Sequence, residues 1–257
     1  MNKKGIRLIT SERHHYILQQ LKQQQFIKVQ DLVEQLQTSE STIRRDLAAL
    51  ENDHLLNREH GGATRIRVIQ EEPSMQEKVI HHIQEKQQIA ACAANLIQDK
   101  ECIYLDAGST IREMIPFIEA KDIIVVTNGL NHVSSLIEKR IDTYLLGGNV
   151  KASTEAVIGI TALEQQENYQ FDKVFLGMNG IHTEFGYTTA DPEEAALKRN
   201  AMKQGMENFV LADHSKMGMI TFSKVEELSK ATVITNKNSA PYIDQYKTLT
   251  TVKVVET

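Results

Sequence analysis

The chain has 257 residues, a formal net charge of −5 at pH 7, two cysteines and a 41% share of hydrophobic residues. This length and composition allow one large domain, or a small domain followed by a medium-sized one, with a real hydrophobic core. No apolar run approaches the roughly 18 residues that span a bilayer, and the first dozen residues do not resemble a signal peptide. We therefore expect a soluble, cytoplasmic protein without a membrane partner.

Cysteine and histidine usage argues against a disulfide and against a metal site. Cys92 and Cys102 lie in apolar surroundings without a cysteine or histidine at ligand spacing, which predicts buried, reduced thiols. The adjacent pairs His14–His15 and His81–His82 would point about 100° apart on a helix, which is poor chelating geometry. No metal and no cofactor are predicted, and the phosphate-binding glycine motifs of nucleotide sites are absent.

Charge is distributed unevenly along the chain. Residues 1–67 hold 11 Lys and Arg against 8 Asp and Glu, hence +3, whereas residues 68–257 hold 18 against 26, hence −8. This asymmetry is typical of a small anion-binding module attached to an acidic body, although +3 is modest.

Hydrophobic periodicity predicts helices in the first 67 residues. A first helix, with Ser11 as its expected N-cap, and a second helix are followed by a break at "QTS". A third helix begins after Ser39. Its apolar face consists of Ile43, Leu47 and Leu50. Its opposite, polar face consists of Ser41, Arg44, Arg45 and Ala48.

The order of these helices is the plan of a helix-turn-helix, whose second helix enters the major groove of DNA. Arginine can read guanine bidentately, and a helix N-terminus suits a phosphate. The segment around Gly61–Gly62 predicts a hairpin wing with Arg58, Arg65 and Arg67 available for backbone contacts. Two arginines on an amphipathic helix are often only a solvated face, but the complete ordered set of elements favours DNA binding.

Beyond a predicted linker at residues 68–77, helical patterns alternate with short apolar runs. These runs are apolar on both faces, which predicts a parallel α/β sheet between helix layers. They are "CIYLDAG", "IIVVTNG", "TYLLGGN", "KVFLGMNG", "NFVLADHS" and "ATVITN".

Nearly every run ends in small or polar residues, at the strand ends where open α/β sheets bind ligands. In "DAGST" a strand passes through Gly108 into a helix that starts with Ser109 and Thr110. The glycine permits a close backbone approach and the hydroxyls can donate to an anion, so this loop suits a phosphate. Ordinary N-capping by Ser and Thr is the alternative.

The segments "RHHYILQQL" and "SESTIRRDL" resemble the DNA-binding signature of the DeoR-type bacterial transcriptional regulators, and "HGGA" at 60–63 is similar to their wing. Gln37 and His54 stand where that family often has glycine. Because Asp46 lies at the edge of the buried face of the third helix, we expect it to be a structural partner of a first-helix arginine such as Arg13 and not a DNA contact. The resemblance implies DNA contacts from a set on the third helix and the wing: Ser39, Ser41, Thr42, Arg44, Arg45, Arg58, His60 and Gly61.

The resemblance continues through "EKQQIAACAA", "LLGGN", "GYTTADPEEAALKR" and "LADHSK" and covers nearly the entire chain. It implies a winged helix-turn-helix at 1–67 and, at 78–257, a larger α/β effector domain that senses sugar phosphates and is related to ribose-phosphate isomerases. It also implies twelve pocket residues: Asp106, Gly108, Ser109, Thr110, Asn128, Gly147, Gly148, Asn179, Gly180, Glu194, Lys198 and Lys216.

The leading interpretation is a regulator, a repressor of sugar-metabolism genes that binds double-stranded operator DNA as a homodimer or homotetramer and is released by a phosphorylated sugar. The alternative is a sugar-phosphate isomerase or aminosugar-phosphate deaminase with a fused DNA-binding domain. The places where isomerase relatives carry aspartates hold Leu176 and Asn179, although Asp106 and Glu194 remain as acids. A constitutive DNA-binding protein with a vestigial sensor is a third possibility.

Overall fold

The structure, a computed structural model, describes residues 8–24, 26–52, 55–65 and 74–255. The chain divides into two compact units, one within residues 1–68 and one within residues 69–257. His54 and Arg67, which the sequence analysis names, lie outside the described residues. No helix among the described residues is long and apolar enough to cross a bilayer.

The N-terminal unit contains three helices and a three-stranded antiparallel sheet in the order β1-β3-β2. The elements are α1 (Thr10–Gln23), β1 (Phe26–Lys28), α2 (Val29–Leu36), α3 (Glu40–Asn52), β2 (Leu56–Glu59) and β3 (Gly62–Arg65). Helix α1 begins before the expected cap at Ser11, and the Glu12 carboxylate accepts the Ile9 N–H at 2.9 Å. The predicted helix-turn-helix with a hairpin wing is confirmed.

One hydrophobic core holds these elements together. The buried residues on the helices are Ile17, Leu21, Val29, Leu32, Leu36, Ile43, Leu47 and Leu50. The predicted apolar face of α3 is therefore confirmed. Full burial of a leucine or isoleucine side chain stabilises a fold by about 1.5–3 kcal/mol, so this face fixes the orientation of the opposite, exposed one.

The turn between α2 and α3 depends on a left-handed residue. Gln37 has φ 48° and ψ 46°, and its N–H donates to the Val33 carbonyl. Ser39 then caps α3, because its Oγ accepts the Thr42 N–H at 3.2 Å. The cap predicted at Ser39 is confirmed, and a conformation that favours glycine is occupied here by glutamine.

The C-terminal unit is built on a seven-stranded parallel sheet in the order β15-β14-β12-β9-β4-β5-β6. Its elements are α4 (Met75–Ile80), α5 (Ile83–Ala94), β4 (Cys102–Leu105), α6 (Ser109–Met114), β5 (Ile124–Thr127), α7 (Leu130–Glu138), β6 (Asp142–Leu145), β7 (Asn149–Lys151), β8 (Ala156–Ile158), α8 (Ile160–Gln166), β9 (Phe171–Gly177), β10 (Gly180–His182), β11 (Gly186–Thr189), α9 (Pro192–Gln204), β12 (Gly205–Leu211), β13 (Ser223–Glu226), β14 (Thr232–Asn236), α10 (Ala240–Lys247) and β15 (Val252–Val255).

All six predicted strands belong to this sheet, and every neighbouring pair in it is parallel. Two details differ from prediction. Strand β6 was expected to be buried, but Tyr144 and Leu145 are 46% and 40% exposed because β6 is an edge strand. Strand β15 at the other edge was not predicted. The predicted α/β class is confirmed.

Two hydrophobic clusters cover the two faces of the sheet, because alternate strand residues point to opposite sides. Ile103 and Leu105 pack with residues of α5, α6 and α7. Tyr104, between them, packs with residues of α8 and α9. The result is a sheet between two helix layers, as its doubly apolar strands require.

The order of strands creates a switch point between β4 and β9. From β4 the sheet extends through β5 and β6 on one side, whereas β9, β12, β14 and β15 extend on the other. The loops after β4 and β9 therefore lead in opposite directions and open a crevice at their carboxyl ends.

The predicted linker, residues 68–77, includes the start of a helix. The Ser74 Oγ accepts the Glu77 N–H, and the Glu77 carboxylate accepts the Ser74 N–H, which together cap α4. Met75 is buried and donates its N–H to the Ser153 carbonyl at 2.8 Å. A capping box of this kind supplies acceptors for two backbone N–H groups that have no partner within the helix. Residues from Ser74 onward therefore belong to the folded unit.

Candidate functional site

A cavity of about 340 Å³ lies at the carboxyl ends of β4, β9 and β12 in the C-terminal unit. This volume is at the small end of the range of about 300–1,000 Å³ that is typical of small-molecule sites. Its polar and charged lining residues are Lys78, His81, His82, Lys86, Asp106, Ser109, Thr110, Thr154, Asn179, Glu194, Asp213, Ser215, Lys216, Lys198 and Thr221.

A buried ion pair joins helix α9 to the loop after β4, at the switch point. The Lys198 ammonium donates to Asp106 Oδ2 at 2.5 Å, and the Gly177 N–H donates to the same oxygen at 3.1 Å. Lys198 and Asp106 are 5% and 3% exposed. A Cβ at Gly108 would lie 3.4 Å from the Gly177 Cα, so the two loops approach each other closely. The pair fixes the floor of the cavity.

Buried groups behind the cavity hold the loop after β4. His132 Nε2 contacts the Asp106 carbonyl at 2.8 Å. Burial lowers the pKa of His132, against the raising effect of the Asp106 carbonyl, so the imidazole is neutral and donates from Nε2. Asn128 accepts the Ala107 N–H at 3.1 Å and the Tyr104 hydroxyl at 3.0 Å. These bonds position the backbone that carries Asp106 and Ser109.

A lysine reaches the start of α6. Lys86 is 4% exposed, and its ammonium donates to Ser109 Oγ at 3.1 Å and to the Lys78 carbonyl. Burial lowers the pKa of Lys86, and this effect outweighs the nearby Asp213 carboxylate, which raises it. Ser109 and Thr110, each 7% exposed, line the cavity beside this ammonium. A desolvated ammonium among hydroxyls is suited to an anion.

A second carboxylate lies in a separate polar cluster of the cavity. Glu194 Oε1 accepts hydrogen bonds from Thr154 Oγ1 at 2.9 Å and from Lys151 Nζ at 3.1 Å. Lys151 also pairs with Asp191, which caps α9 through the N–H groups of Glu193 and Glu194. The Pro192 start and the Asp191 cap thus place Glu194 in the first turn of α9, at the cavity.

The loop after β12 contributes the third carboxylate. Asp213 is 1% exposed and accepts the Ser215 N–H at 2.9 Å and the Ser215 hydroxyl at 2.5 Å. Burial alone raises the pKa of Asp213, but Lys216, the Ser215 bonds and His82 outweigh it and keep the pKa below its usual range. Lys216 and Lys86 both interact electrostatically with Asp213. The Asp213 carboxylate and these two ammonium groups all line the cavity.

Eight of the twelve predicted pocket residues line the cavity: Asp106, Gly108, Ser109, Thr110, Asn179, Glu194, Lys198 and Lys216. The other four do not. Asn128 lies behind the loop after β4, as described above. Gly147 donates its N–H to Gln165 Oε1, and a Cβ at Gly148 would meet the Ile158 carbonyl at 2.6 Å, so both belong to the turn after β6. A Cβ at Gly180 would meet the Met219 carbonyl at 2.4 Å; this glycine allows a close backbone approach.

Sequence reasoning missed Lys78, Lys86, Thr154, Asp213 and Ser215. Asp213 and Ser215 follow the carboxyl end of β12, so the same strand-end rule that found Asp106 could have found them. Lys78 and Lys86 lie on α4 and α5, and nothing in their local sequence distinguishes them from solvated lysines.

In the N-terminal unit, α3 presents the predicted polar face. Ser41, Arg44 and Arg45 are exposed. Arg44 donates to Glu40 Oε1 at 2.6 Å, and these two side chains are 61% and 57% exposed. An exposed pair one helical turn apart contributes only about 0.3–0.5 kcal/mol, so a phosphate or a base edge can displace Glu40. Both arginines are therefore available to DNA.

The expected partnership between Arg13 and Asp46 is confirmed. Arg13 donates from Nε to Asp46 Oδ2 at 2.7 Å and from Nη2 to Oδ1 at 3.0 Å, and His14 contacts Oδ1 at 3.2 Å. Asp46 is 5% exposed. This bidentate pair joins α1 to α3, so the role of Asp46 is structural. The exposed face of α3 carries Arg44 and Arg45.

The wing is a hairpin with a two-residue loop, His60–Gly61, between Glu59 and Gly62. Gly61 has φ +84°, a left-handed conformation that favours glycine. Arg58 is 46% exposed and pairs with Glu51 of α3 at 2.7 Å. His60 is exposed at the tip. The structure therefore places Arg58, His60 and Gly61 together on an exposed hairpin that is bonded to α3.

A winged helix-turn-helix unit, followed in the chain by a unit with a pocket for a small charged ligand, defines a ligand-responsive transcriptional regulator. The model of the DeoR-like helix-turn-helix domain matches residues 13–68, and that of the DeoR C terminal sensor domain matches residues 81–237. The chain belongs to the DeoR family.

An uncharacterized HTH-type transcriptional regulator FruR of Bacillus subtilis (strain 168) is 48% identical over 97% of this chain and 100% of its own. A lactose phosphotransferase system repressor of Staphylococcus epidermidis (strain ATCC 35984) is 34% identical over 83% of this chain and 86% of its own. A structure of D-ribose-5-phosphate isomerase in complex with phospho-erythronic acid matches 51% of this chain and 53% of its own, at 19% identity and a TM-score of 0.38.

Family membership decides between the two leading interpretations. The chain is a DNA-binding transcriptional regulator, and the competing interpretation as an isomerase or deaminase finds no support in the relatives, which are named as regulators and repressors.

Proposed function

We propose that the protein represses genes of sugar metabolism and is released from operator DNA by a phosphorylated sugar bound in the cavity of the C-terminal unit. The observation that carries this proposal is the composition of that cavity: buried ammonium groups and hydroxyls near one strand end, and carboxylates near others. A sugar phosphate has the matching two kinds of group, an anion and several hydroxyls. The repressor relatives support the regulatory part.

The phosphate is assigned to the part of the cavity lined by Lys86, Ser109, Thr110 and Lys216. Lys86 already donates to Ser109 Oγ, so both groups can turn toward one bound oxygen anion. Charge-assisted hydrogen bonds of this kind are about twice as strong as neutral ones. A dephosphorylated sugar should therefore bind much more weakly than the sugar phosphate.

The sugar hydroxyls are assigned to Asp106, Asn179 and Glu194. Carboxylates accept hydrogen bonds from hydroxyls, and Glu194 keeps its position through Thr154 and Lys151. Asp106 is unsuited to act as a proton-abstracting base, because it is already engaged by Lys198 and the Gly177 N–H. Leu176 near the end of β9 and Asn179 just after it supply no carboxylate at this strand end. This arrangement supports binding without catalysis.

Operator recognition is assigned to α3 and the wing. Arg44 and Arg45 are proposed to reach the major groove together with Ser41, while Ser39 and Thr42 at the helix start, and Arg58, His60 and Gly61 in the wing, contact the backbone. The first helical turn of α3 offers N–H groups to a phosphate.

Self-association is proposed because one winged helix covers a single half-site, and two half-sites at fixed spacing increase specificity. Edge strand β6 supports this proposal: Tyr144 and Leu145 on β6 and Val150 on β7 are 40–47% exposed, and an unpaired strand edge can pair with a second copy. Sedimentation of the full chain at micromolar concentration is the test, and a strictly monomeric protein would contradict it.

The regulatory proposal is tested by titrating operator binding with a panel of hexose and pentose phosphates and with the corresponding free sugars. We expect at least one phosphorylated sugar, and no free sugar, to lower operator affinity. Linkage requires operator DNA to lower the affinity for that sugar phosphate by the same factor. A protein that bound operator equally with every panel member present would have no sugar-phosphate control, and tighter operator binding with ligand would reverse the sign.

A further inference from the structure

Three side chains meet beside the cavity in the C-terminal unit, two from the start of α5 and one from the segment after β12. His82 immediately precedes α5, Glu85 lies in the first turn of α5, and His214 begins the short 3-10 turn after β12. One potential ligand atom of each lies within 4.8 Å of the others. We propose that these residues bind one divalent transition-metal ion, for which Zn²⁺ is the preferred candidate.

The spacing of the three side chains supports a shared ion. His214 Nδ1 lies 2.8 Å from Glu85 Oε2, and His82 Nδ1 lies 3.6 Å from Glu85 Oε1. Tetrahedral zinc with ligand bonds of about 2.0–2.1 Å separates its ligand atoms by about 3.3 Å. One observed separation is shorter than that value and the other longer, and they involve the two different oxygen atoms of Glu85. Rotation of the carboxylate and of the imidazoles would bring one oxygen and both nitrogens to a shared ion.

Neighbouring polar groups orient the carboxylate in the way that outer groups orient metal ligands. Asn238 Nδ2 donates to Glu85 Oε1 at 2.9 Å. Asn236, 2% exposed, also interacts with Glu85, and its Oδ1 has no hydrogen-bond partner among the described residues. Such supporting bonds around a metal site commonly contribute 10–100-fold, as a rough range, to metal affinity. The carboxylate is thus held in place before any ion binds.

The backbone at His82 is a second sign of a constrained position. His82 has φ 56° and ψ 34°, a left-handed conformation that side chains other than glycine seldom adopt. Residues held in such conformations cost on the order of 1–3 kcal/mol and concentrate at functional sites. Here the conformation brings the imidazole 4.8 Å from that of His214, measured between ring centroids.

The chemistry of the three ligands selects the class of metal. Two imidazoles and one carboxylate suit Zn²⁺ and its first-row neighbours, whereas Ca²⁺ and Mg²⁺ require oxygen ligands throughout. Three protein ligands leave a fourth tetrahedral position. Because His82 also lines the cavity, water or an oxygen atom of the cavity ligand can complete the coordination.

The test uses the full-length protein, freed of metal with a chelator and then titrated with Zn²⁺ by calorimetry without operator DNA or sugar. We expect one ion per chain. His82→Ala, Glu85→Gln and His214→Ala should each weaken binding by at least about 100-fold, since loss of a direct ligand exceeds loss of a supporting bond. His81→Ala is the matched control, because His81 also lines the cavity but lies outside the cluster.

Co²⁺ provides a second readout, because its visible absorption intensifies in a tetrahedral site. The wild type and His81→Ala should show that absorption, and the three cluster variants should lose it. Circular dichroism of the metal-free proteins checks folding, and Glu85→Gln keeps the side-chain shape if a histidine variant fails to fold. The proposal is overturned by the absence of Zn²⁺ binding at micromolar concentration, by equal losses in His81→Ala and His82→Ala, or by wild-type affinity in Glu85→Gln.

Discussion

The Lys198 ammonium and the Asp106 carboxylate form a buried ion pair, 2.5 Å apart, that links α9 to the loop after β4. The pair lies at the switch point between β4 and β9, and both groups line the cavity. A charge in such a place requires its partner, since the cost of desolvating one charge alone is several kcal/mol. The integrity of the proposed binding site thus depends on an interaction between two elements far apart in the chain.

Replacement of Lys198 by Met should destabilise the C-terminal unit by about 3–5 kcal/mol, because Asp106 remains buried without its counter-charge. The double variant Asp106→Asn/Lys198→Met removes both charges and should recover part of that loss. Urea unfolding of the full chain, monitored in the C-terminal unit, measures both. If Lys198→Met were as stable as the wild type, the pair would not support the fold.

The variant Ser109→Ala/Thr110→Val should still bind operator but should need at least about tenfold more sugar phosphate for release, since each hydrogen bond to a charged group contributes about 1.5–3 kcal/mol. Operator binding titrated with ligand is the measurement. Ser134→Ala is the control, because Ser134 is exposed on α7 and does not line the cavity. An unchanged response in the double variant would place the phosphate elsewhere in the cavity, with Lys216 as the next candidate.

Arg45→Ala should weaken specific operator binding by about 1–3 kcal/mol if Arg45 reads a base, with relaxed preference at one base pair. A phosphate contact would instead weaken all sequences alike and reduce the salt dependence. Binding isotherms on operator and random DNA at several salt concentrations separate these outcomes. Lys121→Ala removes the same charge from an exposed position in the C-terminal unit and should have no such effect. Normal operator binding by a folded Arg44→Ala/Arg45→Ala protein would refute the assignment of α3.

Gln37→Gly should stabilise the turn between α2 and α3 by about 1 kcal/mol, because glycine adopts the left-handed conformation without steric cost. Amide hydrogen exchange in α2 and α3 of the full chain should slow by about fivefold, as that free energy implies. Gln24→Gly is a matched control at the end of α1, where φ is −128° and glycine brings no steric relief. Equal or faster exchange in Gln37→Gly would show that glutamine carries no strain there.

Much of the architecture could be predicted because it is encoded in local periodicity. The buried faces of α1, α2 and α3 follow the helical period, and the six predicted strands follow from runs that are apolar on both faces. The sequence also predicts the capping role of Ser39 and the Arg13–Asp46 pair, the second from the position of Asp46 at the edge of the buried face of α3. Each of these features depends on residues a few positions apart, or on a pattern shared by a whole family.

Which strand ends meet was decided by the tertiary structure. Asn128 and Asn179 both follow a strand, yet only Asn179 lines the cavity, because the site opens between β4 and β9. The order of strands in a sheet arises from long-range packing, so it cannot be predicted from the residues next to a given position in the sequence. The same reason explains why Tyr144 was expected to be buried and is exposed on an edge strand.

The contacts of polar side chains at the start of α5 and within it could not be predicted from the sequence either. The adjacent pair His81–His82 predicted poor chelation, whereas the fold brings His82 to Glu85 and to His214, which lies beyond β12. Lys86 is likewise an ordinary helical lysine until α5 packs beside α6 and buries its ammonium against Ser109. Periodicity specifies which face of a helix is buried. Only the packed structure specifies which polar groups are brought together by that burial, because groups that are far apart in the chain attract each other once folding places them close in space.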